Sequence, residues 1–167
     1  MTKHSGFPLG LAARLSTRAL GIGQKLQWLA LLVARLTVGV LFVSTGWGKV
    51  HSLAKVTDYF TDLRIPFPAL NATVASWTEL VCGSLLVIGL ASRLASLPLV
   101  VTMVVALITA KRDDIHGIAD LFGQVEWTYI AILLIVAAVG PGAASADAVV
   151  VKATAKKGDG AMATAAA

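Results

Sequence analysis

Two ionisable side chains stand inside stretches that are otherwise apolar: Arg35 in LQWLALLVARLTVGVLFVSTGWGKV and Glu79 in ALNATVASWTELVCGSLLVIGLA. A charge placed in hydrocarbon costs about 2.5–3.5 kcal/mol on insertion scales, so each needs a partner or a route to water. Counted along antiparallel helices, the two Cα atoms differ in depth by roughly 5 Å at 1.5 Å per residue, a gap that an Arg side chain covers. Glu79 shares a helical face with Ala72, Ala75, Ser76, Cys82 and Gly83, and Arg35 shares one with Gly39, Phe42 and Gly46. Small residues recurring at helical spacing let backbones approach closely. An Arg35–Glu79 pair inside a helix bundle is therefore predicted. It has a structural reading, in which the pair fixes helix register or Arg35 snorkels to headgroups. It also has a functional one, a polar pocket near Arg35, Trp77 and Glu79 that takes a headgroup, a quinone or a proton.

The remaining chemistry-bearing residues are weaker candidates. Asp113, Asp114, His116 and Asp120 in DDIHGIAD gather oxygens around one imidazole, with His51 able to approach from another loop. They read as a solvated acidic loop rather than a metal site. Cys82 is the only cysteine, which excludes an internal disulfide or dithiol shuttle and leaves it a packing role. Lys49, after Gly46-Trp47-Gly48, is placed to reach headgroups. No phosphate cradle, nucleophile elbow or HExxH zinc motif occurs, so the chain carries no self-contained catalytic constellation.

The elements that must hold these groups follow from composition. Of 167 residues, 57% are hydrophobic and 14% charged, with a mean hydropathy of +0.80. Soluble domains run near 45–50% apolar and about 25% charged, so a chain this small has more apolar surface than one core hides. Four apolar runs, over residues 26–50, 69–91, 94–110 and 125–144, are continuous rather than alternating, which predicts helices and not barrel strands. The fold expected is an all-α, four-transmembrane-helix bundle over residues 26–150. Pro98 falls in the opening turn of the third span, and Gly140-Pro141-Gly142 ends or breaks the fourth.

Residues 1–25 mix Lys3, Arg14, Arg18 and Lys25 with leucines and read as an amphipathic segment on the headgroups, bent at Gly21 and Gly23. Residues 151–167 are low in complexity and read as a disordered cytoplasmic tail. With four spans, eight basic residues (Lys3, Arg14, Arg18, Lys25, Arg93, Lys152, Lys156, Lys157) share a side with both termini, against five (Lys49, Lys55, Arg64, Lys111, Arg112) opposite. The positive-inside rule then puts both termini in the cytoplasm. The net charge of +5 faces anionic lipid, and no groove-reading motif accompanies it to suggest nucleic acid.

Several of these residues carry a family resemblance. Arg35-Leu36-x-x-Gly39-x-x-Phe42-x-x-x-Gly46-x-x-Lys49 resembles the opening signature of the DoxX family of small four-helix membrane proteins. Tyr59-Phe60 through Ile65-Pro66-Phe67-Pro68 is similar to its aromatic and proline segment, with Arg64 where a glycine is usual. Glu79-Leu80-x-x-Gly83-x-Leu85-Leu86-x-x-Gly89-Leu90-x-x-Arg93 matches its second span. Glu126, then Gly140-Pro141-Gly142-x-x-Ser145-x-Asp147, matches its close, with Ala143 and Ala144 departing from it. The resemblance covers residues 32–150 and marks Arg35, Lys49, Glu79, Arg93 and Glu126 as its polar signature.

The resemblance implies a bacterial inner-membrane protein found beside oxidoreductases. Family relatives form the membrane subunit of a thiosulfate:quinone oxidoreductase, accompany a superoxide dismutase and a sulfurtransferase, or accompany metal-handling peptide systems. The function expected is thus a redox-linked membrane subunit working with a quinone or a partner oxidoreductase. The competing class is a non-catalytic membrane anchor or assembly partner, and a small-solute or proton pathway is a third. A homo-oligomer is compatible with each.

Overall fold

The computed structural model describes residues 9–140, 142, 144–148 and 151, with side chains from residue 26 onward. The chain forms α1 (Leu9–His51), α2 (Leu53–Asp62), α3 (Pro68–Ile88), α4 (Ser92–Thr109), α5 (Ile118–Gly123) and α6 (Val125–Val139), with a 3-10 turn at Arg112–Asp114. No strand occurs among the described residues. The portions Leu26–His51, Pro68–Ile88 and Ser92–Thr109 are long and apolar enough to cross a bilayer, and α6 is apolar but shorter. At 1.5 Å per residue its 15 residues reach about 22 Å.

Large apolar side chains cover much of the outside of the bundle, and several polar ones lie inside it. Val33, Val40, Leu70, Val81, Ile88, Leu94, Val101, Ile108 and Ile135 are exposed, whereas Arg35, Ser76, Glu79, Ser92 and Ser96 are buried. An apolar exterior of this kind is expected where lipid tails are the solvent. Inside, Val38, Phe42, Leu86, Leu99, Leu133 and Val136 form the apolar core. The buried Ser76 and Ser96 hydroxyls donate to the carbonyls of Ala72 (2.6 Å) and Ser92 (2.8 Å) one turn back, so neither is left bare.

α1 lies along α3 at close quarters. A Cβ on Gly46 would run into the Leu80 backbone, and one on Gly83 would stand 2.9 Å from the Val43 nitrogen. The small-residue faces of the two helices do meet, at a register that pairs Gly39 with Gly83 and Val87, and Gly46 with Glu79 and Leu80.

Boundaries differ from expectation in instructive ways. α1 is one helix from Leu9, continuous through Gly21 and Gly23 where a bend was expected. α3 stops at Ile88 because Gly89 turns left-handed (φ 79°), and the Leu90 N–H closes back on the Leu85 carbonyl at 3.0 Å. α4 starts at Ser92, two residues early, which puts Pro98 in its second turn rather than its first. The early start is supported from outside the helix: the Asp147 carboxylate accepts the Ala91 N–H at 2.9 Å, and the Asp147 N–H donates to the Gly89 carbonyl at 3.1 Å. α6 ends at Val139 rather than 144, where Gly140 takes φ 98°. The sequence expectations for residues 1–8, Pro141 and the tail 152–167 lie outside the described residues.

α2 was not expected. Leu53, Val56, Phe60 and Leu63, spaced three, four and three apart, line up on one face, while Lys55, Asp58 and Asp62 fall elsewhere. Its end is a Schellman turn: Ile65 N–H donates to the Phe60 carbonyl (3.0 Å) and Arg64 N–H to the Thr61 carbonyl (2.9 Å). Arg64 takes the left-handed position of that turn, at φ 55°.

Candidate functional site

Thr45 and Lys49 sit one turn apart on α1, facing α3 at the level where Gly46 permits close approach. Between them lies Glu79, its side chain 3% exposed. Lys49 Nζ stands 2.5 Å from Glu79 Oε1, and the Thr45 hydroxyl donates to Oε2 at 3.0 Å. Both oxygens of a buried carboxylate are therefore held by charge-assisted bonds. Lys49 is 35% exposed, because its ammonium also borders open space.

That space is a cavity of about 870 Å³ between α1, α2, α3, α4 and α6. Leu41 and Phe42 from α1, Val56 and Phe60 from α2, Val101, Met103 and Val105 from α4, and Tyr129 from α6 make it chiefly apolar. Thr45, Lys49, Glu79 and Glu126 give it polar points, and Lys55, Arg64 and Lys111 contribute further positive charge to the lining. Phe42 meets Tyr129 edge to face at 6.2 Å. An apolar enclosure with a few convergent polar groups has the usual form of a small-molecule site.

The predicted Arg35–Glu79 pair does not form. Arg35 lies level with Gly89, whose Cβ, if present, would stand 2.8 Å from the guanidinium carbon. Gly89 caps the end of α3, ten residues beyond Glu79, so the separation in depth is about 15 Å rather than 5 Å. Taking each apolar run's midpoint as the bilayer centre misplaced the register. Lys49, expected at the headgroups, turns inward and takes the place assigned to Arg35.

Arg35 belongs to a second polar group at the opposite end of the bundle. Its Nη2 donates to the Ala144 carbonyl at 2.9 Å, and Asp147 supplies a favourable Coulomb interaction. Arg93 Nη2 donates to the Val139 carbonyl at 3.0 Å. Ser145, buried, donates to the Gly142 carbonyl at 2.8 Å and accepts the Ala148 N–H at 3.2 Å. Together with the Asp147 cap, these contacts fasten residues 144–147 onto α1 and the α3–α4 turn.

The six sequence-predicted site residues thus divide. Lys49, Glu79 and Glu126 come together on the cavity; Arg35 and Arg93 hold the far end; Trp77 is half exposed on the bundle surface and does not line the cavity. Thr45, Tyr129 and the α2 wall were missed. The spacing Thr45-x-x-x-Lys49 and the apolar stripe of α2 were the signals available for them. Around the acidic loop, Asp120 accepts the His116 N–H at 3.1 Å, Lys111 approaches Asp114 at 3.5 Å, and His51 Nδ1 lies 2.9 Å from the Trp47 carbonyl. No group of three or more His, Cys, Asp or Glu able to hold a metal occurs among the described residues. Cys82 is partly buried against the core.

Apolar helices of spanning length, a lipid-like exterior and a polar cluster enclosed between helices define a multi-pass integral membrane protein. Comparison with known proteins agrees. Residues 30–112 match the DoxX family, and the chain belongs to that family. It is 32% identical over 122 residues to the inner membrane protein YphA of Escherichia coli K12, covering 70% of this chain and 87% of the relative. It is 28% identical over 127 residues to the inner membrane protein YqjF of the same organism, covering 74% and 94%. A relative from Bacillus subtilis 168, named "Putative oxidoreductase CatD", is 28% identical over 102 residues, covering 61% and 71%. No solved structure matches the chain significantly. The protein is accordingly a multi-pass protein of the bacterial inner membrane.

Proposed function

We propose that the protein is a redox-linked membrane subunit that binds a quinone in the cavity beside Lys49 and Glu79 and works with a partner oxidoreductase. The observation that carries this reading is the cavity itself. Its walls are apolar side chains of five helices, and its main polar feature is one tightly held Lys–Glu–Thr cluster. A quinone has the matching form: an apolar ring and tail with carbonyl oxygens that accept hydrogen bonds. The Lys49 ammonium, with only part of its donor capacity used by Glu79, is the donor available to such an oxygen. The name of the Bacillus relative supports the redox direction.

The same reading places four crossings in the membrane, with α6 as the fourth and shortest, and both termini in the cytoplasm. The cavity then opens toward the outer leaflet and the Arg35–Arg93 end faces the cytoplasm. Against this stands the anchor reading, favoured by the fastening of residues 144–147, which needs no ligand.

Purification from native membranes in mild detergent, followed by solvent extraction and mass spectrometry, tests the choice. Bound quinone is expected in the parent and is expected to fall at least tenfold in Lys49→Met at equal protein yield. A folded parent free of quinone and of any co-purifying oxidoreductase would leave only the anchor.

A further inference from the structure

The quinone reading uses one cation of the cavity, Lys49, and leaves three without a task. Lys55 on α2, Arg64 in the turn that follows α2, and Lys111 just past α4 all line the cavity. α1 and α4 end and α3 begins at this end of the bundle, so the three residues share it with Lys49. Lys55 and Arg64 are exposed and form no ion pair among the described residues, while the partly exposed Lys111 approaches Asp114 at 3.5 Å. The only carboxylates of the lining are Glu79 and Glu126, and Glu79 has both oxygens engaged by Lys49 and Thr45. Four basic residues against two carboxylates leave the lining positive.

Arg64 holds its place against its own backbone. Its φ of 55° is a left-handed conformation that glycine adopts freely and arginine does not. Its side chain makes no hydrogen bond or ion pair among the described residues that would offset the strain. Strain of this kind gathers at ligand clamps and other functional sites. Below this charged rim the wall turns apolar: Val101 to Thr109 on α4, eight residues on, spans about 12 Å at 1.5 Å per residue. Val74, Val101 and Val105 line the cavity and are exposed, so it is open along α3 and α4.

We propose that Arg64, Lys55 and Lys111 bind the phosphate head of an anionic phospholipid whose acyl chain lies against the valines of α3 and α4. Guanidinium and ammonium groups are the usual phosphate donors, and an Arg fork adds two parallel bonds to one phosphate. The apolar wall suits a chain drawn from the bilayer, and the positive rim sets the sign of the head. The inference goes beyond the quinone reading and does not depend on it, because none of the three side chains is the donor that reading assigns. The claim concerns binding alone.

The test uses the full-length protein, delipidated in mild detergent, and native mass spectrometry with phosphatidylglycerol and phosphatidylcholine of the same chains. Charge-assisted hydrogen bonds convert to roughly tenfold or more in affinity, so the parent is expected to bind phosphatidylglycerol at least about tenfold tighter. Arg64→Gly, which relieves the backbone, should cut that ratio to about threefold or less without lowering the unfolding midpoint. Lys55→Gln with Lys111→Gln should cut it likewise and provides a second reading should Arg64→Gly lose stability. Arg112→Gln removes an exposed cation that does not line the cavity and should leave the ratio unchanged. Val101→Trp should weaken phosphatidylglycerol binding at least about fivefold with every charge in place, by filling the space for the chain. A ratio near one in the parent, or one that survives both rim variants, overturns the inference. An equal fall in Arg112→Gln would reveal general surface charge, and unchanged binding in Val101→Trp would put the chain elsewhere; either overturns it. Glycerol phosphate at millimolar concentration should not displace the lipid; displacement would mean a free-phosphate site and overturn the lipid assignment. Quinone extraction from Lys49→Met reports on the other reading separately.

Discussion

The Lys49–Glu79 pair makes an asymmetric prediction. Glu79 is nearly inaccessible, its side chain 3% exposed, whereas Lys49 is 35% exposed and borders the cavity. Removing one member of a buried pair costs about 3–5 kcal/mol when the survivor is stranded in low dielectric. Lys49→Met strands Glu79 with only the Thr45 hydroxyl, so the upper part of that range applies, about 4 kcal/mol. Glu79→Leu frees a lysine that already touches open space and whose stem can carry its ammonium toward headgroups, so a loss nearer 1 kcal/mol is expected. The double variant replaces both by apolar groups of similar size and should recover most of what Lys49→Met loses. Reversible unfolding in mixed micelles, with the change in midpoint converted through a common slope, measures all three. Equal losses in the two single variants would refute the burial argument. Additive losses in the double variant would show that the pair does not act as a pair at all.

Three further outcomes are expected in the same assay. Gly46→Val should destabilise by more than about 2 kcal/mol, since its Cβ meets the Leu80 backbone, whereas Gly48→Ala, with nothing within 4 Å of the new carbon, should be neutral or slightly stabilising. Arg64→Gly should stabilise by about 1 kcal/mol, because Arg64 holds a left-handed conformation that glycine adopts freely; unchanged or lower stability would mean that its side chain contributes more than the backbone loses. Asp147→Ala removes the carboxylate that accepts the Ala91 N–H and should cost about 1–2 kcal/mol, with faster hydrogen exchange confined to the α3–α4 turn.

The spans were legible because hydropathy is a sum over many residues and tolerates errors at each end. The pairing of Arg35 with Glu79 was not, because it depended on register, which is a difference between two such sums. α1 extends well upstream of its apolar run and α3 begins at Pro68, so the middle of each run was no guide to which residues lie level. Packing fixes the register instead, through the points where Gly39, Gly46 and Gly83 admit a neighbouring backbone. Those glycines were visible as a face, but a face does not say which of its residues oppose which. α2 was hidden for a different reason: with ten residues and three charges it has no hydropathy signal, only a stripe. Glu126 was recognised through its family pattern, yet the burial of its Oε2 without a hydrogen-bond partner among the described residues is a property of the assembled bundle and has no counterpart in the residue order.

The fastening of residues 144–147 bears on how the protein is made. Arg35 waits 109 residues for its acceptor at Ala144, and Ala91 waits 56 for Asp147. A nascent chain emerges from the ribosome in order, so α1, α3 and α4 emerge before the groups that satisfy them. Until then a guanidinium within α1 and the backbone of the α3–α4 turn must rely on headgroups and water, and the three helices are held more loosely than in the finished molecule. Closure comes with the last few described residues, in a single late step that satisfies α1 and the α3–α4 turn together. A chain cut short before Ala144 would therefore yield a product that inserts but stays ajar at the Arg35 end.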